Sequence, residues 1–529
     1  MEAGPASGIL GGRPGVLLTY GSMTVEYEGE RCQAVPAADG SMDVLVPADF
    51  LRQNLRVGVL EYPDAQVLLQ QGEVSARLES ARRIGDRLYL PLSAVCETFG
   101  YEMETEIGSL RVCLRDRTPY RDRGLPAAYD YRLVGRSTRV RDQGNYGTCW
   151  SFASLTALET ALRPGKAVEF SADHMSLHNG FSLNQSEGGE YTMSMAYLLG
   201  WQGPVLEEQD PYGDGISPDG LKPAVHVQEI QILPPKDYEA IKEAVFFTGG
   251  VQTSMYTSIT GSESRSVYYK EETNSYCYQG ELIPNHDVVI VGWDDEYPKE
   301  NFQTEAEGDG AFLCVSSWGE KFGDNGYFYV SYYDTNIGIS SLVYTGVQET
   351  GNYDHIYQTD LCGWVGQMGY GSESVFGANI YQAQTEEVLK AVGFYATGAH
   401  TSYEIWLARH VGGEPEFEDR RIVAEGEVAR SGFYTVSLPE PEVLEPGERF
   451  AVILKICTPG AVHPMAMEYR ADEMTAEADI TDGEGYISHD GRTWVSAEER
   501  YQCNLCLKAY TGEQKTLQEA ERSKKRSAE

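Results

Sequence analysis

Apolar positions three and four residues apart set off one segment near the middle of the chain. Phe152, Leu155, Leu158 and Leu162 follow a glycine-rich run there and predict a helix that opens beside Cys149. A different rhythm begins after His286, where Asp287-Val288-Val289-Ile290-Val291-Gly292-Trp293 predicts a strand. Beyond Tyr344 the helical spacing fades. Val392–Tyr395, Tyr403–Leu407, Phe433–Val436 and Phe450–Leu454 predict strands set between turns such as Glu445-Pro446-Gly447-Glu448, the pattern of a β-sandwich. Ahead of the central helix, Val46-Pro47-Ala48-Asp49-Phe50-Leu51 and Leu90-Pro91-Leu92-Ser93-Ala94-Val95 form a self-similar pair 44 residues apart. Each Pro suits the first turn of a short helix after a strand, and the second copy runs on to Arg111-Val112-Cys113-Leu114 as a further strand.

At 529 residues the chain exceeds what one core serves and predicts roughly three domains. The patterns divide it into a small α+β domain over 1–118, a mixed helical and strand domain over 119–349, a β-sandwich over 350–511 and a charged, disordered tail over 512–529. The fold class is therefore α+β and multidomain. A formal charge of −38 argues against nucleic acid or an anionic membrane surface as partner, because both would be repelled. No stretch approaches the roughly 20 apolar residues of a membrane span. Met1 to Tyr20 has no charged start followed by an apolar core, so no signal peptide is visible.

Chemistry concentrates in three places: Gln143 with Cys149-Trp150, Asn285-His286, and Ser316-Ser317-Trp318-Gly319. A thiol at a helix start meets unpaired backbone N–H groups and the positive end of the helix dipole, both of which favour the reactive thiolate. A strand would hold the His286 imidazole rigidly as general base. The Gln143 side-chain amide and the Cys149 N–H are candidate donors to an oxyanion. Setting Cys149 aside leaves nine of ten cysteines, so at least one more is expected to be free or paired between chains. Cys503-Asn504-Leu505-Cys506 has redox or zinc spacing but no second pair or nearby His, and it is read as packing. No metal or cofactor is expected.

Taken in order, these residues resemble the papain-like C1 cysteine peptidases. The resemblance implies a two-lobed fold, one lobe helical and one β-barrel-like, that hydrolyses peptide bonds in protein or peptide substrates. It implies Cys149 as nucleophile, His286 as base, Gln143 in the oxyanion hole, and Gly188, Gly189 and Trp318 as substrate-binding residues. Gly249-Gly250-Val251 would be the turn into a central strand. Tyr146 and Thr148 stand where many relatives have a disulfide-forming Cys and a Ser or Ala. Ser316 stands where the family has the Asn that orients the histidine. A Ser hydroxyl is shorter, so a slower enzyme is expected more than an inactive one, with Asp294 or Asp295 as alternative partners for His286. The competing class is an attenuated peptidase fold that acts as a surface binding protein or adhesin.

The first part of the chain, about 16–115, resembles bacterial stalk domains related to the amino-terminal domain of copper amine oxidases. Copper is not implied, since the first histidine of the chain is His174. A spacer is expected, with an inhibitory propeptide as the second possibility. The strands after Tyr344, together with Gly485-Tyr486-Ile487-Ser488-His489-Asp490-Gly491-Arg492-Thr493-Trp494, resemble the lectin-like domain found behind bacterial C1 peptidases. A structural or docking role is expected of this region ahead of carbohydrate binding, for which Trp406 or Trp494 would be the stacking platform. The arrangement implies an extracellular or cell-surface protein.

Overall fold

The computed structural model of the protein describes residues 23–36, 43–85, 87–105, 111–116, 124–259, 261, 265–412 and 417–513. The expected disordered tail falls outside them from residue 514 on, as does the leader segment Met1 to Tyr20.

In the first module the self-similar segments pair with each other. Val44–Pro47 runs antiparallel to Arg87–Pro91, with Leu45 opposite Pro91 and Val46 opposite Leu90. Pro47 and Pro91 are the N-cap residues of the helices Ala48–Leu55 and Leu92–Phe99, and Arg56 and Gly100 end these helices in the left-handed region. A seven-stranded sheet carries both helices, and Val25, Val46, Leu51, Leu90, Val95 and Phe99 close the core between them.

This module rests on the back of the next domain. Tyr62 donates to the Val134 carbonyl at 2.9 Å, and Arg56 pairs with Glu243 at 2.8 Å. Gly58 faces the Phe246 ring, where a Cβ would come within 3.1 Å. Glu61 lies beside Gly165, just past the C-terminus of the helix Cys149–Leu162. Fourteen residues of helix rising 1.5 Å each put that end about 20 Å from Cys149. This contact of the module therefore lies at the far end of the helix from the thiol.

The helix Cys149–Leu162 is buried from Trp150 to Thr160, its apolar side chains in the core and its Ser, Thr and Glu side chains held by hydrogen bonds or by Arg141. It packs on the strand His286–Asp294. Around that strand the order is Tyr269–Lys270, Ser275–Tyr276, Tyr327–Ser331, Ala311–Val315, His286–Asp294, Val251–Met255, Ser341–Gln348 and His226–Leu233. The sheet does not stop there. Glu229–Ile232 pairs with Ser431–Tyr434, and the ladder continues through Glu387–Ala396 and Leu507–Glu513 to His355–Tyr357. These last strands face a six-stranded sheet across a core of Val375, Leu389, Val392, Phe394, Ile405, Leu407, Phe450, Val452, Leu454, Leu505 and Leu507. The second half is thus the expected sandwich, with one of its sheets hydrogen-bonded directly to the sheet of the domain before it. All ten cysteines are free, and Cys503 and Cys506 are buried packing residues.

Candidate active site

Register brings the site together. Val289 pairs with Val315, and extending that antiparallel match by three residues sets His286 opposite Trp318. The two rings stack with centroids 4.2 Å apart and planes 11° apart. Side chains two residues apart share one face of a strand, so Ser316 lies on the side of Trp318. Its Oγ is 3.0 Å from His286 Nε2. The shorter hydroxyl therefore does reach the imidazole, contrary to the expectation drawn from its length. Asp294 and Asp295 take no part. They end a nine-residue strand that opens at His286, roughly 26 Å away at 3.3 Å per residue. Asp295 instead pairs with Lys242 and accepts from Tyr332 at 2.6 Å.

The same run holds the oxyanion amide. Gln143 N donates to Ser317 O at 2.9 Å, Gly319 N to Arg141 O at 3.0 Å, and Ser317 Oγ to Gln143 Oε1 at 2.6 Å. With its oxygen taken, the amide turns its nitrogen toward the helix start. Nε2 donates one hydrogen to Tyr146 O at 2.7 Å, which leaves a second for a ligand. Beneath this loop Arg141 is buried against Glu159 at 3.1 Å and donates to Phe170 O at 2.7 Å. Tyr212, which the sequence did not single out, donates to Gln143 O at 2.9 Å and shares a hydrogen bond with Thr148 at 2.7 Å.

Cys149 is the first residue of its helix, after the N-cap Thr148. Gly188 and Gly189 lie close by. A Cβ on Gly189 would sit 2.4 Å from Trp150 Nε1, and one on Gly147 would sit 2.7 Å from Gly188 N, so the loop approaches the helix start only because these residues are glycines. Trp318 is 3% exposed and sandwiched by His286 and Phe322. It shields the imidazole instead of lining an open cleft.

Electrostatics depart from the expectation of a ready thiolate. Burial, reinforced by the nearby Asp287 carboxyl, pushes the Cys149 thiol up to about 12, although the N–H groups of Asp287 and Trp150 oppose the shift. Burial lowers His286 to about 3. Cys149 and His286 form no hydrogen bond in this structure, and both shifts run toward the neutral thiol and the neutral imidazole. Asp287 is a further residue that sequence reasoning passed over. It pairs with Ser254 across the ladder and accepts from Ser254 Oγ at 2.6 Å and Gln252 Nε2 at 2.9 Å. A carboxylate inside an otherwise apolar strand was the available signal.

In the sandwich, the two candidate sugar platforms are engaged. Arg420 lies over the Trp406 ring at 5.4 Å, and Trp494 meets Phe417 edge to face at 4.9 Å. Both indoles are half-buried.

A thiol at the start of a buried helix, an imidazole on a facing strand and a fixed amide donor are the parts that a cysteine-nucleophile acyl-transfer site requires. Comparison with known proteins narrows the class. Residues 125–347 match the papain family cysteine protease, and residues 356–511 match the lectin like domain. The chain is 27% identical to cathepsin K of Mus musculus over 217 residues, covering 40% of this chain and 61% of that protein. It is 31% identical to cathepsin K of Gallus gallus over 211 residues, covering 38% and 58%. The chain thus spans about three fifths of the length of these curated relatives. Among solved structures, the clostridial cysteine protease Cwp84 after propeptide cleavage superposes with a TM-score of 0.65 at 28% identity, over 73% of this chain and 99% of that one. The cysteine protease and lectin-like domains of Cwp84, a surface layer associated protein of Clostridium difficile, give 0.63 at 26%, over 73% and 89%. Residues 125–347 are thus a papain-like C1 peptidase domain, and a lectin-like domain follows.

Proposed function

We propose that this protein is a cysteine peptidase that hydrolyses peptide bonds. The observation that carries the reading is the single run Ser316-Ser317-Trp318, which holds His286 through Ser316 and Trp318 and holds Gln143 through Ser317. In this mechanism Cys149 Sγ attacks the peptide carbonyl as its proton passes to His286. The Gln143 Nε2–H and the Cys149 N–H receive the oxyanion, and the imidazolium returns the proton to the departing amine. Water then cleaves the acyl-enzyme with His286 as base. Ser316 orients the ring in place of an Asn. Its hydroxyl accepts from Nε2–H or donates to Nε2, so it fixes the tautomer less firmly than an acceptor-only amide oxygen. Gly188 and Gly189 supply backbone for an extended substrate.

We assign residues 1–118 to a stalk-like spacer, 119–349 to the peptidase domain and 350–511 to the lectin-like domain, which presents the enzyme at a cell surface and offers a surface for a glycan. Among the described residues no helix is long and apolar enough to cross a membrane.

The test treats wild-type protein and Cys149→Ala with an epoxide inhibitor of papain-like enzymes and with a mixed peptide library. Adduct and cleavage, both lost in the variant, are expected. Neither adduct nor cleavage in the wild type would refute the reading in favour of the surface binding protein.

A further inference from the structure

Between the peptidase and lectin-like domains lies a cavity of about 220 Å³ whose walls come from both. Tyr191, Thr192 and Met195 belong to the helix that directly follows Gly188-Gly189-Glu190, and Ile232 belongs to the strand that joins the two sheets. Trp364 and Tyr395 come from the lectin-like side, with ring centroids 5.8 Å apart. The first wall is continuous with the site. Gly189 backs onto Trp150, and Tyr191 feels the charges of Glu190 and of Asp287, the residue beside His286.

From this placement we infer that the cavity is a specificity pocket for an aromatic side chain of the peptide substrate, completed by Trp364 and Tyr395 of the lectin-like domain. The inference rests on the peptidase reading and names the substrate class. Three aromatic rings, Met195 and Ile232 provide flat and polarizable contact for a ring. A sugar is the competing occupant, because Tyr191, Thr192 and Tyr395 carry hydroxyls and that of Tyr395 is buried without a hydrogen-bond partner; the position of the cavity directly after the Gly188-Gly189 loop favours the peptide. The lectin-like domain then contributes to cleavage specificity and not only to attachment.

The test reads binding separately from turnover. Cys149→Ala protein is titrated calorimetrically with amidated peptides in an Ala–Ser background, each carrying a single Phe at a different position. One Phe position should bind roughly tenfold more tightly than the background peptide, and Trp364→Ala in the same protein should abolish the gain. Thr192→Trp fills the cavity from the opposite wall and should do the same if Trp364→Ala does not fold. A gain that survives a folded variant, or no gain at any position, overturns the pocket. N-acetylglucosamine binding that disappears with Trp364→Ala overturns the peptide assignment. Because the titrated protein has no nucleophile, a wild type without peptidase activity would count against the proposed function alone.

Discussion

Replacing Asp287 with Asn should make Cys149 more reactive. The Asp287 carboxyl raises the Cys149 thiol through its charge, and a unit charge at about 6 Å, the outer end of the range over which a neighbouring charge shifts a pKa, raises the thiolate by about 3 kcal/mol, or about two pKa units, in an effective dielectric near 20. Allowing for the dipole that Asn retains, the thiol should fall by one to two units, roughly a ten- to hundredfold gain in thiolate at neutral pH. The substitution is mild for the fold. Asn Oδ1 still accepts from Gln252, and the Ser254 hydroxyl can reverse to accept from Nδ2. Burial raises the Asp287 carboxyl, so the two proteins should react alike at acid pH and diverge as Asp287 ionises. The assay is the second-order rate of iodoacetamide alkylation against pH, read by mass spectrometry on the Cys149 peptide so that the other nine cysteines do not interfere. Superimposable profiles, or a slower variant, would refute the claim that this carboxylate restrains the nucleophile.

Ser316→Ala removes the partner of His286 Nε2 and should lower kcat about tenfold or more with little change in KM, whereas Ser316→Asn should raise kcat above wild type; steady-state kinetics on one peptide decides both. Arg141→Ala leaves Glu159 buried without its counter-charge and should cost about 3–5 kcal/mol in urea unfolding, a loss that a change below about 1 kcal/mol would contradict. Stability should also fall as pH drops from 6.5 toward 4. His286 and His174, lowered to about 3 and about 4 mainly by burial, take up protons more readily in the unfolded chain, so their contribution is whole above pH 6.5 and lost below it. Urea midpoints measured across that range check the sign, and a midpoint that rises on acidification contradicts it.

The local elements were legible because side-chain periodicity is local. The spacing from Phe152 to Leu162 marked the helix, the alternation after His286 marked the strand, and the two Val-Pro and Leu-Pro segments marked equivalent strand–helix units. The reach of Ser316 was not legible, because it depends on a register between strands whose sequences say nothing about their offset. The same holds for Ser317 and Tyr212, whose hydroxyls matter only through partners distant in sequence. Asp287 was visible as a charge in an apolar strand, but its effect on Cys149 required the turn of the backbone at the strand start. The upward direction of the thiol's shift was missed for a related reason: the helix-start effect can be read from sequence, while the opposing burial cannot.

The pairing of Glu229–Ile232 with Ser431–Tyr434 changes what the lectin-like domain is to the enzyme. A flexible linker would let a surface-binding domain sample many orientations, and its aromatic residues would have no fixed relation to the cleft. A ladder of backbone hydrogen bonds between two sheets fixes that relation instead. It is reinforced by Gln358 donating to Gly200 O at 2.9 Å, Ser182 N donating to Met474 O at 2.8 Å and Arg430 bonding to Gln231 at 3.3 Å. The strand that carries the junction, His226–Leu233, also pairs with Ser341–Gln348, which in turn pairs with Val251–Met255 beside His286. Two strands therefore separate the junction from the histidine strand. Tyr395, on Glu387–Ala396, belongs to that same continuous sheet, and Trp364 packs against its ring at 5.8 Å, so the specificity pocket inferred from both domains needs no closing motion.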